Sequence, residues 1–335
     1  MANVLEVAIK NKIDYKLYTS NTEGFLSKFR SKSNFYKRSE IRLLTLFSFF
    51  FSQFLLAIRI VLTNKKEEDT FYINTILPFG AILVGRLLNK RVITHVHETE
   101  ITPRLLSRFL FWAVRNFSSK VVVVSKFLQN NPSLEGIETQ VIYNCVTADF
   151  EALAIEKRDV GKVFNVLMLA SLRPYKGINE FIQLADLNRK QSFTLILSDS
   201  KREVDDFFAD RQLPNNLRVL PVQKEVSAFY KNASLIVNLA HPDKWVETFG
   251  MTVLEGMHYG LPAIVPTVGG ITELVEEGVN GFQINYTDLK EISSKIELMD
   301  RDHSIWENLS RGALLRKTEF SRKTFERQIL DLLER

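Results

Sequence analysis

Trp245-Val246-Glu247-Thr248-Phe249-Gly250-Met251-Thr252-Val253-Leu254-Glu255 sets two glutamates eight positions apart around a Phe-Gly-hydrophobe-Thr turn. Upstream, Ser234 to Ala240 reads as a short buried strand. Downstream, Met251 to Tyr259 reads as a helix that stops at Gly260-Leu261-Pro262. A loop that runs into a helix N-terminus offers backbone N–H groups without partners and the positive end of the helix dipole. Such a place suits a phosphate or diphosphate. Gly250 has no side chain to keep backbone and anion apart. Met251 and Thr252 open the helix, and Phe249 stands in the turn. Two carboxylates beside an anion site would repel the anion itself. Glu247 and Glu255 suit the hydroxyl-rich groups on either side of it, a sugar and a ribose.

This stretch resembles the E-x7-E motif of retaining glycosyltransferases of family 4, which have the two-domain GT-B fold. Pro262 to Phe282 looks like the segment that follows the motif in that family. Ser171-Leu172-Arg173-Pro174-Tyr175-Lys176-Gly177 looks like its basic loop after the first strand of the C-terminal domain, and Val141-Ile142-Tyr143-Asn144 like the end of its N-terminal domain. The resemblance covers nearly the whole chain and is strongest across Glu247 to Phe282. It implies an α/β protein of two Rossmann-like, doubly wound domains facing a central cleft. The implied chemistry is hexosyl-type transfer from a nucleotide-sugar donor with retention of anomeric configuration. One part of the pattern is absent. The family opens with a strand and a Gly-rich loop, whereas Met1 to Ile9 already reads as the first helix, so an N-terminal domain truncated at its start by the gene model is expected.

A chain of 335 residues can bury two cores. With 45% hydrophobic and 25% charged residues the composition is that of a globular protein. One cysteine, Cys145, excludes an internal disulfide and fits a reducing, cytoplasmic compartment. Met1 to Lys10 shows no leading basic cluster of a signal peptide. The net charge is +5, and residues 1–60 carry ten Lys/Arg against four Asp/Glu, a net of +6, so the other 275 residues sum to −1. That excess suits an anionic membrane surface or a phosphate-bearing acceptor. No nucleic-acid motif accompanies it. Leu43 to Leu62 is long enough to span a bilayer but holds Thr45, Ser48, Ser52, Gln53 and Arg59, so a buried or surface-docking helix is expected.

Apolar runs alternate between strand and helix periods, as parallel α/β units require. Strands are expected at Ile13–Ser20, Thr70–Ile76, Arg91–Val96, Lys120–Ser125 and Gln140–Tyr143. Helices are expected at Ile41–Thr63, Phe79–Leu88 and Pro103–Phe117. The pattern then restarts with strands at Phe164–Ala170, Phe193–Ser198, Arg218–Pro221, Leu235–Leu239 and Ala263–Pro266, and helices at Gly177–Leu187, Arg202–Asp210, Val226–Asn232, Thr252–Tyr259 and Thr324–Leu332. Asn280-Gly281 reads as a turn. The expected domains are 1–146 on the acceptor side, a linker over 147–161, 162–318 for the nucleotide-sugar, and 319–335 as a helix that crosses back.

Lys176 and Arg173 supply charge for a departing nucleoside diphosphate without a metal or other cofactor. The family pattern places an arginine five residues before the lysine. Ser171 stands there, and Arg173 can reach from the same loop or remain a solvated surface residue. His97, in His95-Val96-His97-Glu98 at the end of an expected strand, falls where the resemblance implies a histidine facing the donor sugar; a structural histidine is the rival reading. Gly269-Gly270, before a helix expected near Thr272, add backbone donors or form a tight turn. Asp300-Arg301-Asp302 reads as helix capping and not as a metal site. Ser125 reads as a cap.

The leading function is transfer of a sugar to a saccharide or lipid-linked acceptor, in surface polysaccharide or lipopolysaccharide synthesis, by a cytoplasmic protein peripheral to the inner membrane face. Two other classes compete: a nucleotide-sugar epimerase or hydrolase of the same fold, and a sugar-nucleotide-binding partner subunit with no activity of its own.

Overall fold

A computed structural model describes residues 1–20, 26, 28–63, 69–154 and 163–334. The chain divides into two compact units. The first holds Met1–Tyr143 and Phe325–Arg335, the second Asn144–Thr324.

In the first unit every strand pair is parallel. β1 (Leu17–Ser20) pairs with β2 (Ser31–Asn34) in one small sheet. β3 (Thr70–Asn74), β4 (Arg91–Val96), β5 (Lys120–Val123) and β6 (Thr139–Val141) form a second sheet in that order, with Thr70 opposite Arg91, Ile93 opposite Lys120 and Val121 opposite Thr139. Parallel strands are covered on both faces, which is why β4 and β5 read as near-continuous apolar runs; Val92, Ile93, Val96 and Val121–Val124 are buried. The helix Ala2–Lys10 buries Val4, Leu5, Val7 and Ala8. The end of the last helix, Arg322–Glu334, belongs to this unit, where Lys10 Nζ lies 2.7 Å from Glu326 Oε2.

The second unit holds one six-stranded parallel sheet. β7 (Asn165–Ala170), β8 (Ser192–Leu197), β9 (Leu217–Leu220), β10 (Leu235–Val237), β11 (Ala263–Val265) and β12 (Gly281–Gln283) lie in the order β12-β11-β10-β7-β8-β9. This is a doubly wound sheet. The order reverses between β7 and β10, which are adjacent in space, and ligands of such sheets bind beyond the carboxyl ends of the strands at that point. Its core joins Val166, Met168, Phe181, Phe193, Leu195 and Leu235.

The structure departs from expectation in four places. β2, Ser31–Asn34, has no apolar alternation to announce it, and β1 begins four residues late, at Leu17. Asn280 lies in a turn, as expected, but Gly281 opens a strand, β12, that was not, and the buried Asn280 amide donates to Leu274 O at 3.0 Å while its Oδ1 accepts from Glu276 N at 2.7 Å. Of the expected linker 147–161, residues 155–161 lie outside the described residues. Ala148–Leu153 is a helix capped by Thr147, and Phe150 sits with its ring edge-on to Tyr230 and Tyr259, so this segment belongs to the second unit. The turn after Gly269 is a 3-10 helix from Gly270 to Glu273, two residues earlier than expected. Two cap readings hold: Ser125 Oγ accepts from Leu128 N at 3.1 Å, and Asp302 accepts from Ser304 N and Ile305 N.

Candidate active site

Three segments meet at the switch point of the second unit. The first follows β7. Asp199 Oδ2 accepts from Leu172 N at 2.6 Å, and Pro174–Lys176 form a 3-10 turn that ends on Gly177. Gly177 has φ +81° and lies against β10's continuation, since a Cβ there would come within 2.3 Å of Leu239 O. Only glycine allows this approach. The close packing fixes Lys176 against the second segment, Leu239–Glu247. His241 N donates to Tyr175 O at 2.8 Å, and Trp245 stacks on Tyr175 with centroids 5.8 Å apart.

Lys176 Nζ then reaches Glu247 Oε1 at 2.5 Å, and stands 5.0 Å from the centre of the Trp245 ring. Both charged side chains are mostly enclosed, at 17% and 19% exposure. The third segment is Gly269-Gly270, whose Gly270 N donates to Glu247 O at 2.8 Å. Gly250, φ +101°, ends the loop and caps the helix Met251–His258; a Cβ would lie 2.6 Å from Ile271 Cγ1. The helix has no side-chain cap, and Met251 and Thr252 occupy its first turn, half-buried. Helix geometry gives their amides no acceptor within the helix.

The sequence expectations therefore separate. Lys176, Glu247, Gly250, Met251, Thr252, Gly269 and Gly270 form one neighbourhood. Arg173 shares the turn of Lys176, but its side chain is exposed and donates from Nη1 to Leu172 O at 3.0 Å. The Phe249 ring is 3% exposed and packs edge-on to Phe320, so its side chain fills the core and leaves backbone to a ligand. Glu255 lies inside the helix and accepts from the Tyr230 hydroxyl at 2.6 Å. Burial raises its carboxyl above the ordinary range, and the Tyr230 bond opposes this. Tyr230, Tyr175 and Trp245 are site residues that the sequence reading missed. Tyr175 and Trp245 stand beside Lys176 and Glu247 in the quoted stretches without a role having been given to them, whereas Tyr230 reaches Glu255 from another helix and no spacing marks it.

His97 lies in the first unit. Its Nε2 is 3.0 Å from Asn74 Oδ1. Burial lowers its pKa to about 4. His95, 4.5 Å away between ring centres, is lowered further by burial and by His97, and its Nδ1 is 2.6 Å from Tyr72 Oη. Glu98, raised by burial, accepts from His97 N at 3.1 Å. This is a neutral histidine pair at the end of β4, hydrogen-bonded to Tyr72 and Asn74. Among the described residues no three His, Cys, Asp or Glu converge as a metal site.

Residues 150–313 match the family model of glycosyl transferases group 1. A sucrose synthase of Melioribacter roseus is 42% identical over 91 residues, 26% of this chain; the match spans only 12% of that enzyme's length. An uncharacterized glycosyltransferase of Methanocaldococcus jannaschii is 26% identical over 274 residues, 77% of this chain and 72% of that protein. Among solved structures, Anabaena HepE in complex with UDP and glucose superposes with a TM-score of 0.76 at 19% identity, over 99% of this chain and 95% of that one. The likeness shows the fold to be the α/β GT-B fold.

Proposed function

We propose that this GT-B chain, whose residues 150–313 match glycosyl transferases group 1, moves a hexosyl-type sugar from a nucleotide-sugar to a saccharide or lipid-linked acceptor, with retention. The observation that carries the reading is the Lys176–Glu247 pair beside the helix N-terminus at Gly250. When the sugar leaves the diphosphate, negative charge grows on the diphosphate oxygens. Lys176 and the amides of Met251 and Thr252 are placed to stabilise it. Glu247, paired to the same lysine, takes the sugar hydroxyls. Glu255, held by Tyr230, takes the ribose. HepE's structure contains UDP and glucose, which makes uridine nucleotides the first donors to try.

The charge supplied by Lys176 lets the transfer run without a divalent metal. The single cysteine supports work on the cytoplasmic side, at the inner membrane face, in surface polysaccharide or lipopolysaccharide synthesis.

A panel of nucleotide sugars tested by thermal shift checks the donor half. A true donor at about 100 times its dissociation constant stabilises the fold by about 2.7 kcal/mol. Proton NMR of the product with the donor so found reads the anomeric configuration. No stabilisation by any nucleotide sugar, or an inverted product, overturns the reading.

A further inference from the structure

The first unit carries an aromatic band on its outside, joined across two helices through the buried Phe79 and the half-buried Phe109. The helix Arg42–Thr63 is 22 residues long and apolar enough to cross a bilayer by length and composition. It has two faces. Ser52, Gln53, Leu56 and Ile60, spaced by three and four, are buried. On the other side Leu43, Phe47, Phe50, Phe54, Ile58 and Val61 repeat at the same spacing and face out, Phe47 at 70% exposure and Phe54 at 61%. The helix Arg104–Phe117 adds a second stripe, with Leu105 at 78% and Trp112 at 49%. Ring contacts join the two helices: Phe47 stacks on Phe51, Phe50 meets Phe79, Phe79 meets Phe109 at 5.0 Å, and Phe109 stacks on Trp112.

The charges beside the band are mostly positive, with Glu40 between Arg38 and Arg42 and Glu100 3.5 Å from Arg104 as the acidic exceptions. Neither helix contains an Asp or Glu, and Arg42, Arg104, Arg108 and Arg115 are exposed, with Lys37 and Arg38 just ahead of the first helix. An apolar face rimmed by arginine with a tryptophan at its edge matches the layered chemistry of an anionic bilayer surface, hydrocarbon below and phosphate above. A second copy of the chain would bring arginines against arginines.

The inner face of the long helix decides between crossing and lying flat. Asn34 Nδ2 donates to Ser52 O at 2.8 Å, Gly80 N donates to Gln53 Oε1 at 3.3 Å, and the Tyr18 hydroxyl is 2.7 Å from Thr63 Oγ1. Arg59 donates to Ser33 O. A spanning helix would leave all of these and carry Arg59 into hydrocarbon. We propose that the first unit binds anionic membranes by laying the outer face of Arg42–Thr63, with Trp112 and Leu105, into the interfacial layer, in the membrane plane. The proposal deepens the acceptor half of the proposed function: the acceptor is lipid-linked, and the protein stays on the lipid surface while it works. Only this last step rests on that reading.

The full chain is mixed with vesicles of phosphatidylcholine alone or with phosphatidylglycerol, and bound protein is measured by sedimentation. Wild type is expected to pellet with the anionic vesicles and to keep part of its binding in 1 M NaCl. Phe47→Ser/Phe51→Ser/Phe54→Ser, at exposed positions, is expected to bind at least tenfold less. Arg104→Ala/Arg108→Ala is expected to weaken binding at low salt. UDP thermal shifts of all variants should equal wild type, which separates this test from the donor reading. Alkaline carbonate should strip the protein, as an in-plane helix permits. Full release by salt, equal binding by the triple variant, resistance to carbonate, or loss of a dimer in the triple variant with vesicle binding intact would each overturn the proposal.

Discussion

The ammonium of Lys176 and the carboxylate of Glu247, 71 positions apart in sequence, stand 2.5 Å from each other with the Trp245 ring beside them. Each is the other's counter-ion. In the proposed reaction a nucleotide-sugar divides them, its diphosphate taking the lysine and its sugar the glutamate. Lys176→Ala should lower turnover by roughly 10²–10³, the scale of losing one preorganised donor to a developing anion. Glu247→Gln should lower turnover yet keep UDP affinity. Steady-state rates and UDP titrations check both. Excess chelator should leave the wild-type rate unchanged, and a magnesium requirement would assign the neutralising charge elsewhere.

Glu255 holds a raised carboxyl pKa because it is buried. For a carboxyl raised in the folded state, the stabilising contribution is full below the ordinary glutamate value. It is lost as pH climbs through the folded value. Above that value the protein is therefore the less stable for carrying Glu255 ionised. Glu255→Gln should raise the melting temperature of the ligand-free protein at pH 7.5. The same change should weaken UDP binding by about 1.5–3 kcal/mol, the worth of a hydrogen bond to a charged group. A variant that is both less stable and equally tight for UDP would contradict this role. Tyr230→Phe should act in the same direction on affinity, because it removes the bond that orients the carboxylate.

His97 gives the opposite sign. Its pKa is lowered to about 4 by burial. In the unfolded chain it takes a proton near 6.5, so the unfolded state binds more protons between pH 6.5 and 4, and stability falls as pH drops across that window. The single-site effect is bounded at about 3 kcal/mol by the size of the shift. His97→Gln should flatten the acid limb of urea-derived stability against pH, with little change above pH 7. His258, also lowered to about 4 by burial, should add a similar slope that His258→Gln removes.

Gly177→Ala tests the packing that carries Lys176. The position has φ +81° and a backbone oxygen 2.3 Å from where a Cβ would be. Strain of this kind costs on the order of 1–3 kcal/mol at one residue. The variant should melt lower and also lose turnover, since relief moves the Pro174–Lys176 turn away from Glu247. Gly136→Ala is the control, with φ +76° and open space around it; its turnover should match wild type.

Every strand of the two main sheets except β12 was legible, because buried parallel strands are short apolar runs bounded by polar turns. The same logic fails for Ser31–Asn34, four polar residues that pair by backbone alone. Glu247, Gly250 and Glu255 were visible as a local pattern along eleven residues. Their partners were not. Tyr230 reaches Glu255 from another helix, and Asn74 reaches His97 from a neighbouring strand; these contacts follow from topology, which spacing does not carry. Phe249 shows the converse. It stands within the pattern, yet its ring turns to Phe320, because an aromatic ring gains more from the core than from a charged site.

The reversal of strand order between β7 and β10 has a consequence for how this protein can change. Lys176 and Glu247 are neighbours because their strands are, and not because of what the chain does between them. The excursion through β8 and β9 leaves and returns on one side of the sheet. Loop closure grows only slowly more costly with length. Segments such as the surface turn at Asp210–Asn215 could thus lengthen, shorten or accept a foreign insert without altering the 2.5 Å pair. Asp199 and Tyr230 are the exceptions along that excursion, Asp199 accepting from Leu172 N and Tyr230 fastened to Glu255, so both are tied to the site they pass behind. Natural length variation, and any graft of a reporter loop, should be tolerated between those two residues and not across either.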